Sequence, residues 1–78
     1  MKFTAYFLST RSRPDRVVIR EEWIEQVAMH PLKKTIQADG RIRCWGLISE
    51  AQGRYLRVVL LDDGVTVHNA FFDRDFLP

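Results

Sequence analysis

The hydrophobic positions change their spacing once along the chain. Between residues 19 and 29, Ile19, Trp23, Ile24, Val27 and Ala28 recur at intervals of three and four, while Glu21, Glu22 and Glu25 face the other way. That period predicts an amphipathic helix over residues 19–29, with its glutamates near the positive end of the helix dipole and His30-Pro31 as its stop. After Pro31 the period shortens to two, the mark of half-buried strands. Strands are expected over residues 33–38, 41–49, 54–62 and 65–72. Asp39-Gly40 and Asp63-Gly64 read as two-residue hairpin turns, because both residue types tolerate positive φ, and residues 50–53 form a polar loop. Before the helix, the aromatic-rich residues 3–8 read as a short strand or extended arm, and residues 9–15 as a turn in which Pro14 and Asp15 suit one helical turn. Residues 73–78 are a tail.

These elements predict a single α+β domain over residues 1–78, in which an N-terminal helical segment packs on one face of a four-stranded antiparallel sheet. Two-residue turns fix the facing residues: Leu60 opposite Val67, Val59 opposite His68, Arg57 opposite Ala70, and Lys34 opposite Trp45. With Trp45 also set opposite Arg57, one face collects Ile42, Cys44, Gly46, Ile48, Leu56, Val58, Leu60, Val67, Asn69 and Phe71, and receives the helix. Gly46 on that face marks a close helix approach or a bulge. The other face collects Lys34, Ile36, Arg41, Arg43, Trp45, Leu47, Tyr55, Arg57, Val59 and His68. Water alone does not call for Trp and Tyr there, and a second core does not accommodate three arginines, since unpaired buried charge is costly.

Composition narrows the function classes. A chain of 78 residues builds a small core. Cys44 is the only cysteine, so there is neither a disulfide framework nor a paired-cysteine metal motif, and it reads as a small apolar strand residue in a reducing compartment. No stretch resembles a signal peptide or membrane span, so the expected location is the cytoplasm. The net charge of +2 says little, but residues 33–57 carry six cations (Lys33, Lys34, Arg41, Arg43, Arg54, Arg57) against Asp39 and Glu50, while the helix is acidic. Such separation gives a directional field that attracts anions. No P-loop, GxGxxG or HExxH pattern is present, so no metal or cofactor is expected, and the basic face carries no carboxylates to hold Mg²⁺.

Arg57, in mid-strand, reads either as a bidentate phosphate ligand or as a cation laid across Trp45 or Tyr55. His68 suits proton transfer or sits half-exposed against a neighbour. Arg57, His68 and Tyr55 are the candidate catalytic residues. Lys34, Arg41, Arg43 and Trp45 stand with them as candidate contacts for an anion, and the resemblance described next implies that they are RNA contacts, Trp45 by base stacking.

Three stretches carry a resemblance: residues 36–46 (Ile-Gln-Ala-Asp-Gly-Arg-Ile-Arg-Cys-Trp-Gly), 53–60 (Gly-Arg-Tyr-Leu-Arg-Val-Val-Leu) and 66–74 (Thr-Val-His-Asn-Ala-Phe-Phe-Asp-Arg). Together with the helix Arg20-Glu21-Glu22-Trp23-Ile24-Glu25-Gln26-Val27, they resemble a family of short uncharacterised bacterial domains grouped with the RelE/ParE-like toxins, small metal-independent ribonucleases. The resemblance implies RNA cleavage by 2′-hydroxyl attack, with His68 as acid or base and Arg57 and Arg43 stabilising phosphate, and an antitoxin-like protein partner. A different class remains open. Phe71, Phe72, Phe76 and Leu77 give an apolar end that suits a non-enzymatic interaction module forming a homodimer or heterocomplex.

Overall fold

The computed structural model describes residues 1–78. The chain runs β1 (Lys2–Phe3), α1 (Ala5–Thr10), α2 (Pro14–Val17), α3 (Glu21–Met29), β2 (Lys33–Ile36), β3 (Ile42–Ile48), β4 (Arg54–Leu60) and β5 (Thr66–Phe72). The strands form one sheet in the order β1-β5-β4-β3-β2. The architecture is α+β as expected, but the sheet has five strands and is mixed: β1 lies parallel to β5 at one edge, with Lys2 beside Thr66 and Phe3 beside Val67.

The first segment departs most from the expectation. Only Lys2 and Phe3 form a strand, and residues 5–10 are helical. Thr4 makes the switch: its backbone is extended while its hydroxyl accepts the Phe7 N–H, the N-cap geometry that starts a helix. Phe3 and Phe7, four residues apart, stack at 5.0 Å. Phe7 and Thr10 are buried, and the Thr10 hydroxyl donates to the Phe7 carbonyl. Pro14 stands at the start of α2. The Arg11 guanidinium then donates to the carbonyls of Arg16 (3.1 Å) and Ile19 (2.7 Å), tying α1 to the approach of α3.

α3 begins two residues later than the periodicity suggests. Ile19, buried just before the Arg20 cap, joins the cluster that holds Ile24 in the first turn, the arrangement of a hydrophobic staple. Trp23, Ile24 and Val27 then pack on Cys44, Ile48, Leu56, Val58, Leu60 and Val67, a cluster completed by Phe7, Ile42, Ala51 and Ala70. A Cβ on Gly46 would lie 2.8 Å from Val27 Cγ2, so this glycine lets α3 approach β3 closely.

The register of β3 on β4 matches the expectation throughout, including Trp45 opposite Arg57. Two corrections follow elsewhere. Ile36 faces Ile42, which leaves a three-residue loop after the Gln37–Arg41 pair, with Gly40 at φ 90°. That single extra residue turns β2 over, so Lys33, not Lys34, stands opposite Trp45, and Lys34 stands opposite Cys44. In β5 Leu60 does face Val67, but Val59 faces Asn69 and Arg57 faces Phe71, so His68 is the extra residue of a β-bulge. Past the bulge the faces exchange: Ala70 and Phe72 turn toward α3, and Asn69 and Phe71 turn away.

Candidate functional site

The sheet face opposite α3 carries a row of alternating rings and cations. Trp45, Arg57 and Phe71 are direct cross-strand neighbours on β3, β4 and β5. The Arg57 guanidinium lies 5.5 Å from the centre of the Trp45 rings and 5.2 Å from that of Phe71. Arg43 stands 5.8 Å over Trp45 from one side, and Arg16 stands 5.4 Å over Phe71 from the other. Such contacts hold a cation against an aromatic face by its quadrupole. Arg57 is thus stacked, as one of its two sequence readings holds, and its Nε has no hydrogen-bond partner. Burial disfavours its charge, nearby Arg43 adds to that, and Asp73 opposes them only in part. The Asp73 carboxylate reaches Arg57 at 3.8 Å and accepts the Trp45 Nε1–H at 3.0 Å.

At the β5 end of this face the bulge presents His68. Its Nδ1 lies 3.1 Å from the Thr4 hydroxyl, and its ring stacks on Tyr6 at 5.0 Å. Thr4 therefore caps α1 and orients the imidazole with one oxygen. His68, Arg57 and Arg41 line one shallow depression of about 490 Å³, with Tyr6, Gln37, Val59, Asn69 and Phe71 as the rest of its wall. No carboxylate lines it. Asn69 is held by Arg16, which donates to its side-chain oxygen at 2.6 Å.

The sequence-derived site divides accordingly. Arg57, His68 and Arg41 come together. Arg43 and Trp45 share the face but stand beside the depression. Lys34 belongs to the α3 side of the sheet edge through the change in β2. Tyr55 lies apart in a groove with Arg54, Asp73 and Phe76. The four apolar residues of the expected interface separate: Phe71 sits between Arg16 and Arg57, Phe72 meets Trp23 edge-on at 6.4 Å, Phe76 stacks on Trp45 at 5.0 Å, and Leu77 alone is fully open at 83% exposure.

Tyr6, Gln37, Asn69 and Arg16 were missed. Thr4 is of a residue type that caps helices, which alone does not place Tyr6 on one, and Asn69 required the bulge to be known. No three metal-binding side chains converge anywhere in the molecule, and no helix is long and apolar enough to cross a membrane.

No family model matches the chain, and neither curated proteins nor solved structures include a significant match.

Proposed function

We propose that the open face binds single-stranded RNA and that the depression cleaves it without a metal ion, as a toxin-like ribonuclease does. The observation that carries this reading is the gathering of His68, Arg57, Arg41 and Tyr6 around one depression that no carboxylate lines. A phosphodiester fits such a wall, because its charge meets cations only and guanidinium offers a planar fork to two oxygens.

In this reading His68 receives the proton of a 2′-hydroxyl. The Thr4 oxygen accepts the Phe7 N–H and still has a proton to give and a lone pair to offer. It can therefore accept the Nδ1–H, and in that tautomer Nε2 carries the lone pair that acts as base. The 2′-oxygen forms a bond to phosphorus, the P–O5′ bond breaks, and the leaving oxygen takes a proton from the Tyr6 phenol. Arg57 and Arg41 face the charge that accumulates on the non-bridging oxygens. The products are a 2′,3′-cyclic phosphate and a 5′-hydroxyl. A neutralising protein partner would act by covering this depression.

The test is incubation of purified protein with single-stranded RNA in the presence of a chelator. Cleavage is expected, with cyclic-phosphate ends, while DNA of the same sequence binds uncut. His68→Ala should lower the rate by about 10²-fold or more, the usual weight of a positioned acid or base. Intact RNA, together with no retention of RNA by the protein at low salt, would end the proposal.

A further inference from the structure

The segment that follows β5 lies across the open face in an unusual way. Phe76 stacks on Trp45 with ring centres 5.0 Å apart and planes 13° from parallel, and meets Tyr55 edge-on at 5.1 Å. Three residues earlier, Asp73 presents one oxygen to the Trp45 indole N–H and to Arg57. A flat ring on an indole and an anion on the neighbouring guanidinium are the two contacts that a nucleotide makes with a stacking platform.

The segment is lightly held. Asp73 donates its N–H to the Tyr55 carbonyl at 2.9 Å, and the remaining backbone bond is a local one, Phe76 N–H to the Asp73 carbonyl at 3.4 Å. Arg74, Asp75, Leu77 and Pro78 are exposed. Beyond that single bond to β4, one ring and one carboxylate keep the segment in place, and both contact residues of the basic face. Packing of the main core does not require it, since that cluster lies on the other side of the sheet.

We infer that Trp45 and Tyr55 form a stacking subsite for an unpaired nucleobase, and that Phe76 with Asp73 occupies it in the free protein as an internal stand-in for a nucleotide. The inference rests on the RNA reading above and deepens it by naming a second subsite. Trp45 and Phe71 flank Arg57 in direct register, two strand spacings or about 10 Å apart. A base on Trp45 thus sets its phosphate toward Arg57, at the rim of the depression that holds His68. Binding at this subsite requires Phe76 to leave, so the apparent affinity is lowered by the fraction of molecules in which the ring is in place.

The experiment titrates the protein with a ten-nucleotide 2′-O-methyl oligouridine, which no 2′-hydroxyl attack can cut, and follows binding by anisotropy. Phe76→Leu keeps an apolar cover but loses the flat ring. It should bind the oligonucleotide on the order of tenfold tighter than the native chain, because a competing state is weakened. Tripolyphosphate, an anion without a base, should bind both proteins alike. In the native protein the Trp45 indole N–H resonance should move on titration as the Asp73 bond breaks, while that of Trp23, in the α3 core, stays fixed. This spectrum needs no variant. If the native protein binds the oligonucleotide but Phe76→Leu gains nothing and the Trp45 resonance does not move, the subsite is wrong and the RNA reading stands. If neither protein binds, both are wrong.

Discussion

On one side of β4, Leu56, Val58 and Leu60 are sealed beneath α3 with less than 5% of their surface exposed; on the other, Arg57 lies between two aromatic rings with an unpartnered Nε. Five consecutive residues thus serve opposite ends. The first side removes apolar surface from water and supplies most of the folding free energy. The second holds cations in partial desolvation, where aromatic faces and Asp73 compensate only part of the cost. A side chain that seals the core and a side chain that builds the charged face are therefore nearest neighbours in the sequence.

The contrast can be broken most forcefully at the shared strand. Leu56→Ala should cost about 2–5 kcal/mol, enough to unfold much of so small a domain, as read from urea denaturation. Arg57→Met should leave the unfolding free energy within about 1 kcal/mol of the native value, since an apolar replacement relieves desolvation while losing the Asp73 contact. The same substitution should abolish RNA retention at low salt. A large loss of stability with RNA binding intact would invert the roles assigned to the two faces. A smaller effect is expected at the helix contact. Gly46→Ala places a methyl group 2.8 Å from Val27 and should cost about 1–3 kcal/mol through overpacking, with RNA binding unchanged once the protein is folded.

The mildest test concerns Cys44, on the buried side. Burial pushes its thiol up from the ordinary range, and the Lys34 charge only partly opposes this. The folded state thus keeps its proton to higher pH than the unfolded state, so stability is undiminished below the ordinary thiol range and falls as pH rises through it. Cys44→Ala should flatten that alkaline decline. In the native protein at neutral pH, Cys44 should react with a disulfide reagent only at the rate of unfolding; immediate labelling would show that this face opens.

The helix side of the sheet was largely legible from alternation alone, because one face is apolar at nearly every position and β3–β4 pairing admits a single parity. The open side was legible where it depended on that pairing: Arg43, Trp45 and Arg57 fall where the sequence puts them. It was illegible where one residue changes parity. The loop after Ile36 and the bulge at His68 are both single insertions into regular pairing, and nothing in the residue types compels them. Asp-Gly is compatible with two- and three-residue loops alike. The first helix was missed for a different reason: the apolar run at residues 3–8 is too short for its period to separate strand from helix, and tertiary pairing with β5 decides it.

The bulge gives β5 something like a reading frame. Val67 and Ala70 both point under the helix although an odd number of steps separates them, and only the extra residue at position 68 reconciles them. Removing His68 alone would close the bulge and leave regular pairing, with Val67, Ala70 and Phe72 still under the helix and Asn69 and Phe71 still on the open side. The strand should therefore fold with position 68 deleted as well as with it substituted, whereas flattening the bulge with His68 kept would turn Asn69 and Phe71 under the helix and Ala70 and Phe72 out.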